Sequence, residues 1–179
     1  MVLQGKYHVS KQHFLPTSRI VGRKCFSSVQ DTYLYSWGYG TEGQLGHKSF
    51  EISKGLMGET YIQTEPRKLV RSKRFSSIAI GDGFTLGLTH DGELFGWGKN
   101  FQKGCDSKEP ILITVPFASS GSKVVSISAG AKHACIIDSE GLVYSWGEGG
   151  TSGMLSFMGG GGQLGHGVRG AEEKPRYLL

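Results

Sequence analysis

Short stretches in which apolar residues alternate with small or polar ones recur along the chain, and this period of two predicts β-strands. Residues 75–97 predict three strands, the second from Phe84 to Thr89 and the third from Leu94 to Trp97. Residues 125–146 repeat the pattern, with a second strand from His133 to Ile137. Both segments therefore predict strand, tight turn, strand, turn, strand.

Glycines mark the turns between these predicted strands. Gly81 and Gly130 end the first strand of each segment, where a residue without a side chain adopts a positive φ angle most easily. Asp91-Gly92 lies between two apolar runs, which is a strong hairpin signal. The segments are therefore expected to form tightly connected strands.

The three tryptophans of the chain occur in the same short sequence motif, which indicates internal repeats. Trp37, Trp97 and Trp146 each follow serine or glycine and precede glycine, and they stand 60 and 49 residues apart. Spacings in this range are typical of propellers, solenoids and arrays.

A glycine-rich loop follows the tryptophan in the first and third copies. The phrase Gly-Gln-Leu-Gly-His occupies residues 43–47 and 162–166, and each copy then leads through a proline to an apolar stretch. Because His47 and His166 recur at matching places, they are expected to make structural hydrogen bonds, and His133 is expected to be packed or capped at its turn. The residues predicted to define the structural repeat are Trp37, Gly38, Gly43, Gln44, Leu45, Gly46, His47, Trp97, Gly98, His133, Trp146, Gly147, Gln163, Leu164, Gly165 and His166.

This order of motifs, from residue 31 to residue 179, resembles the repeat of the regulator of chromosome condensation family. The resemblance implies an all-β fold, a β-propeller of normally seven blades, each a four-stranded antiparallel sheet set around a central channel. At roughly 50 residues per blade, the chain is expected to supply about three blades of an incomplete ring. We expect a piece of a longer protein, an arc completed by a partner, or a truncated product, and the ending at Leu178-Leu179 favours truncation or incompleteness.

The copies depart from one another at two insertions and one degenerate loop. After Trp97 the Gly-Gln-Leu-Gly phrase is lost, and insertions fall at Lys48 to Thr64 and at Thr151 to about Gly159. Insertions on one rim of a repeat protein often carry binding loops, although a splicing or gene-prediction irregularity is the alternative for the second. The candidate interaction residues are Lys48, Phe50, Met57, Tyr61, Met154, Leu155, Phe157 and Met158.

The charge of the chain is concentrated at its start. The net charge is +5, and residues 1–30 alone carry five basic residues and no acid, so residues 31–179 are nearly neutral. The basic segment is interpreted as a mitochondrial transit peptide, as a tail that touches nucleic acid or anionic lipid, or as a degenerate strand pair. Localisation is therefore expected to be mitochondrial, with cytoplasm or nucleus as alternatives. No basic nucleic-acid-binding face of the propeller is indicated.

Catalytic and metal-binding patterns are missing from the sequence. It has no nucleophile elbow, no zinc-protease motif and no phosphate-binding loop, and its three cysteines are widely spaced. No enzyme activity, cofactor or metal is predicted. The hydrophobic content of 37% with 29 glycines suits a turn-rich β protein, and no apolar run reaches the length of a membrane span.

Two functions from different classes remain. The first is a protein-interaction scaffold that belongs to a larger protein or assembly. The second, implied by the family resemblance, is guanine-nucleotide exchange on a small GTPase, which requires binding the nucleotide-free GTPase better than the loaded form. Because fold does not imply function, we favour the scaffold.

Overall fold

The computed structural model describes residues 7–10, 33–48, 51–55, 58–69, 73–102, 104–150, 162–168 and 170–178. The regular secondary structure of these ranges consists of β-strands alone. They are β1 Tyr7–Ser10, β2 Tyr33–Tyr39, β3 Glu51–Gly55, β4 Gly58–Lys68, β5 Phe75–Ile80, β6 Phe84–Thr89, β7 Leu94–Gln102, β8 Cys105–Leu112, β9 Val124–Ala129, β10 His133–Asp138, β11 Val143–Gly147 and β12 Glu172–Tyr177. Within the described ranges, nothing forms a helix long and apolar enough to cross a membrane.

The strands form three antiparallel sheets of four strands, which we call blades 1, 2 and 3. Their strand orders are β1-β2-β4-β3, β5-β6-β7-β8 and β9-β10-β11-β12. The prediction of an all-β fold with four-stranded antiparallel blades is confirmed. The predicted strand Phe84 to Thr89 has the observed bounds, whereas the strand that contains Trp97 continues to Gln102.

Part of the basic N-terminal segment belongs to blade 1. Strand β1 pairs with β2 in antiparallel register, Tyr7 opposite Ser36 and Ser10 opposite Tyr33. It thus occupies the place beside the tryptophan strand that β6 and β10 hold in the other blades. These four residues form a strand, and the rest of residues 1–30 lies outside the described residues, so the three interpretations of the segment stay predictions.

The first insertion forms a hairpin where the sequence suggested a loop. Strands β3 and β4 pair from Glu51 opposite Ile62 to Gly55 opposite Gly58. Strand β4 then continues through Pro66 as the strand beside β2. The insertion therefore lengthens one strand of blade 1 and adds an edge strand, because its isoleucine, threonine and tyrosine residues favour extended backbone.

The hydrophobic core lies between blades. Leu86, Leu88 and Leu94 on one face of blade 2 pack in a cluster with Tyr144 and Trp146 of blade 3. The opposite face of blade 2 packs Phe75, Phe95 and Trp97 against Leu34 and Leu69 of blade 1. Every residue of β6 is buried because blades cover both of its faces.

The glycines that end β5 and β9 differ from expectation. Gly81 and Gly130 are absent from the glycines with positive φ, although neighbouring Gly83 has φ +85°. A Cβ atom at Gly81 would lie 1.9 Å from the Phe84 ring, and one at Gly130 would lie 2.2 Å from the His133 ring. Glycine is therefore needed for close ring packing at these two turns.

Candidate interaction site at the loop end of the blades

One end of each blade gathers the turn before β6 or β10 and the segment that follows the tryptophan strand. We call this the loop end. In blade 2 it consists of residues 81–83 and 98–102, and in blade 3 of residues 130–132 and 147–150. The glycine-rich loop of blade 1, residues 40–48, reaches the same end of blade 2.

The glycine-rich loop of blade 1 joins it to blade 2 through one carbonyl group. The backbone oxygen of Gln44 accepts a hydrogen bond of 2.8 Å from Trp97 Nε1 and one of 3.0 Å from Thr85 Oγ1. Leu45, the next residue, is fully buried. Because buried polar groups need partners, the indole and hydroxyl fix the loop against blade 2.

Within blade 1, the same loop is held by a serine and a histidine. Ser36 Oγ donates to the Leu45 carbonyl at 2.7 Å and lies 2.9 Å from His47 Nε2. Since the hydroxyl proton goes to the carbonyl, the hydroxyl oxygen is free to accept from Nε2–H. Burial and the nearby Arg67 charge lower the pKa of His47 to about 4, and they outweigh the opposing effect of a hydrogen bond to the Arg67 backbone, which raises the pKa. The ring is therefore neutral near pH 7.

Blade 3 repeats this arrangement. Ser145 Oγ donates to the Leu164 carbonyl at 2.6 Å and lies 3.0 Å from His166 Nε2. Leu164 is buried, as its counterpart is in blade 1. The repeated leucine and histidine of the loops thus connect each loop to the serine before its own tryptophan. The recurrence of the histidines in the sequence predicted their structural role, whereas nothing in the sequence pointed to the serine as their partner.

Blade 2 replaces the serine–histidine pair by an aromatic ring. Gly96 occupies the position that serine holds in the other two blades. A Cβ atom at Gly96 would lie 2.4 Å from Phe101 Cδ2. The Phe101 carbonyl accepts a hydrogen bond of 2.8 Å from Trp146 Nε1, as the Gln44 carbonyl does from Trp97. The degenerate loop therefore keeps the contact to the next blade and fills the space of the lost pair with a buried phenylalanine.

A cleft of about 450 Å³ opens at the loop end between blades 2 and 3. Two ion pairs form part of the cleft wall. Lys99 Nζ lies 3.1 Å from Glu42 Oε2, and Lys132 Nζ lies 3.4 Å from Glu148 Oε1. All four side chains are at least 40% exposed, so these pairs leave their charges in contact with solvent. The residues that line the cleft are Glu42, Asp82, Gly83, Phe84, Lys99, Asn100, Ala131, Lys132, Gly147, Glu148 and Ala171.

One exposed position of the repeat carries a different side chain in each blade, and in blades 2 and 3 it lines the cleft. The residue that follows each Trp-Gly is Tyr39, Lys99 or Glu148, and all three are exposed. The same backbone position thus accepts an aromatic ring, a positive charge and a negative charge. These positions are not among the predicted site residues, although the change of charge after the constant Trp-Gly motif is visible in the sequence.

Two of the candidate interaction residues on the first insertion are described, and both approach blade 2. Lys48 Nζ is 3.1 Å from Glu109 Oε2. The Tyr61 ring is half-buried, with Lys108 Nζ 5.3 Å from its centroid. The insertion therefore contacts strand β8 with at least part of its surface. The remaining candidates, which lie outside the described residues, are Phe50, Met57, Met154, Leu155, Phe157 and Met158.

Two further predictions concern metal binding and the burial of the tryptophans. In the described part of the chain, no three histidine, cysteine, aspartate or glutamate side chains are grouped so that they could hold a metal ion. Trp97 and Trp146 are buried between blades, whereas Trp37 is only half-buried.

Solved structures share this fold. Human WBSCR16 superposes with a TM-score of 0.62 at 21% identity, over 83% of this chain and 35% of that protein. Prp20p of Saccharomyces cerevisiae, whose structure was described with its binding to Gsp1p and histones, gives 0.62 at 23% identity, over 83% and 34%. The blades therefore form part of a propeller of this type.

Curated relatives are longer than this chain. The Ultraviolet-B receptor UVR8 of Arabidopsis thaliana is 33% identical over 65% of this chain, which spans 25% of that receptor. The human E3 ubiquitin-protein ligase HERC2 is 29% identical over 72% of this chain, which spans 3% of that ligase. The chain thus spans a quarter or less of these two relatives.

Family models match the same repeats that the tryptophans mark. One model of the regulator of chromosome condensation (RCC1) repeat matches residues 31–88, and a second matches residues 75–105 and 124–153. Together they cover more than half of the chain and include all three tryptophan phrases. The chain therefore belongs to the RCC1 repeat family.

Proposed function

We propose that this chain is a non-catalytic protein-interaction module, and that its contact surface is the charged cleft at the loop end. The observation that carries the proposal is the variation of Tyr39, Lys99 and Glu148 at one repeated position. The scaffold does not require any of these side chains, since it accepts each of them at the same place. Residues that the fold leaves unspecified and exposed are free to specify a partner.

The chemistry of the cleft suits a protein surface with charges of both signs. Two lysines and two glutamates line it, and each of these four side chains belongs to an exposed ion pair. Exposed charge pairs of this kind contribute little to stability, typically about 0–1 kcal/mol, so their exchange for pairs with a partner costs little. Charge complementarity would then decide which partner binds.

Photo-crosslinking tests the proposal. A photoreactive phenylalanine analogue is placed at Lys99 or at Glu148 in the tagged chain, expressed in its own cells. We expect adducts of discrete mass from both positions, and we expect Lys99→Glu to weaken the Glu148 adduct at least tenfold. Failure of both positions to give an adduct would contradict the proposed surface.

The matched control lies at the opposite end of blade 2. Lys73 pairs with Glu93 at 2.6 Å and is exposed to a similar degree as Lys99. The same analogue at Lys73 should give no adduct, and Lys73→Glu should leave the adduct from Glu148 unchanged. Equal labelling at both ends would mean that the cleft is not the contact surface.

A second assay tests the alternative function, guanine-nucleotide exchange on a small GTPase. The purified chain is mixed with a panel of small GTPases loaded with labelled GDP, and release of the label is followed. We expect no acceleration. Faster release of GDP from any GTPase of the panel would favour an exchange factor over the interaction module, because exchange needs only a difference in affinity between the nucleotide states of the GTPase.

A further inference from the structure

The cleft between blades 2 and 3 holds one acidic side chain without a partner among the described residues. Its lining contains three acids and two lysines. Two of the acids are held by the two lysines in the exposed ion pairs. Asp82 is the third acid, and within the described part of the chain its carboxylate accepts no hydrogen bond and joins no ion pair. The lining therefore carries one negative charge in excess.

The backbone of Asp82 is fixed, whereas its side chain is exposed. Its amide donates a hydrogen bond of 2.7 Å to the carbonyl of Ala131, the residue at the same place in the corresponding turn of blade 3. This bond joins the two turns, so the carboxylate is held at the boundary between the blades. Because blade 3 forms the same turn with alanine, the fold does not require an acid at this position.

Asn100 adds a second polar side chain that the fold does not use. It lines the cleft with a φ angle of 52°, in a left-handed region that glycine adopts more easily, and blade 3 has Gly149 at the same place of its repeat. Its backbone amide bonds to Asp106, whereas its side-chain amide makes no hydrogen bond to a described residue. The side-chain oxygen is therefore available as an acceptor in the cleft.

The remaining lining suits a flat cation. Phe84, Ala131 and Ala171 contribute hydrocarbon surface, and the cleft of about 450 Å³ has ample room for one side chain. A guanidinium group is planar, weakly hydrated and carries five N–H donors, whereas an ammonium group is strongly hydrated and carries three. A carboxylate and an amide oxygen beside apolar surface therefore favour arginine over lysine.

We propose that the cleft takes an arginine side chain of the partner protein, whose guanidinium donates to the Asp82 carboxylate and to the side-chain oxygen of Asn100. The inference rests on the proposed function, because it names the chemistry of the partner at the same surface. A guanidinium binds a carboxylate through two parallel N–H donors, which makes the contact both strong and specific in geometry. Its single positive charge also balances the excess negative charge of the lining.

Titration with short peptides tests the arginine site without the partner. Acetyl-Gly-Arg-Gly-amide is added to the isotope-labelled chain, and the backbone amide resonances are followed by NMR. We expect shifts at Gly83, Asn100 and Ala131, no shifts with the uncharged citrulline peptide, and weaker binding of the lysine peptide. Absence of these shifts with the arginine peptide, or equal binding of the lysine or citrulline peptide, would overturn the proposal.

Two aspartate variants provide a matched comparison in the same titration. Asp82→Asn keeps the size of the side chain and removes its charge, so the arginine peptide should bind about tenfold more weakly. Asp91 is also exposed and lies in the turn between β6 and β7, at the opposite end of blade 2. Asp91→Asn should leave binding unchanged, and equal losses in both variants would overturn the assignment to the cleft.

Crosslinking distinguishes a failure of this inference from a failure of the proposed function. With the photoreactive analogue at Glu148, Asp82→Asn should weaken the adduct, whereas Asp91→Asn should not. An undiminished adduct in Asp82→Asn would overturn the arginine site and leave the contact surface in place. Absence of any adduct from the cleft would contradict the contact surface, and with it the arginine site.

Discussion

The histidine of the first loop illustrates how one buried residue couples stability to pH. The pKa of His47 is lowered to about 4 from 6.5 by burial and by Arg67. Between these two values the unfolded chain binds a proton that the folded chain refuses, so the free energy of unfolding falls as the pH drops from 6.5 to 4. Above pH 6.5 the residue is neutral in both states and adds no pH dependence.

Urea unfolding at pH 7.5, 6 and 5 measures this effect. We expect the wild type to lose stability relative to His47→Gln as the pH falls, by at most about 1.4 kcal/mol per pH unit. The variant removes the titrating group and retains a side-chain N–H donor for Ser36. Parallel pH profiles of the two proteins would show that His47 does not carry the dependence.

Ser36 belongs to the same contact and can be tested independently of pH. Its hydroxyl serves both the Leu45 carbonyl and His47 Nε2. Ser36→Ala leaves these buried groups without that partner, and we expect a loss of about 1–3 kcal/mol in the free energy of unfolding. Ser122→Ala, which removes an exposed hydroxyl bonded to Glu140, is a control that should change stability far less.

At the scale of the strand and loop, Gly96 and Phe101 act as a pair. The ring fills the space beside the glycine, so Gly96→Ser should clash and destabilise by about 1–3 kcal/mol, measured by thermal or urea unfolding. Adding Phe101→Leu should recover part of the loss, because the smaller side chain leaves room for the serine hydroxyl beside residue 96. A double variant no more stable than Gly96→Ser would show that the ring is not the cause.

The three tryptophan strands are expected to differ in their sensitivity to truncation. Trp97 and Trp146 are at most 1% exposed between blades, and their replacement by alanine should cost about 3–5 kcal/mol. Trp37 is half-buried, so Trp37→Ala should cost clearly less. Unfolding at low protein concentration measures all three, and equal losses would contradict this ranking.

At the scale of the whole molecule, the basic N-terminal segment combines a strand of blade 1 with the composition of a targeting sequence. Its residues Tyr7–Ser10 pair with β2, while its composition predicts a mitochondrial transit peptide. We propose mitochondrial import, and expect residues 1–35 to carry a fluorescent reporter into the organelle. A fusion in which the five basic residues of the segment are changed to glutamine is the control, and cytosolic fluorescence of the unaltered fusion would remove the proposal.

Blade architecture was accessible from sequence because it depends on local patterns that recur. Alternating apolar residues, turn glycines and the tryptophan phrase specify strands and turns over a few residues each, and they located β6 with its observed bounds. The hairpin β3–β4 was not anticipated, since it occurs in one copy and no second copy supports it. For the same reason the pairing of Tyr7–Ser10 with a strand more than 20 residues away had no clear signal.

The sequence by itself determined that this protein is a set of RCC1-type blades, because each repeat encodes its own strands and turns. Only the tertiary structure decided which residues meet. Trp97 meets the Gln44 carbonyl and Lys99 meets Glu42 between blades 1 and 2, and Phe101 fills the space beside Gly96 within blade 2. These contacts join residues between 5 and 57 positions apart, as their numbers show. Long-range contacts depend on the packing of neighbouring sheets, which local periodicity does not encode.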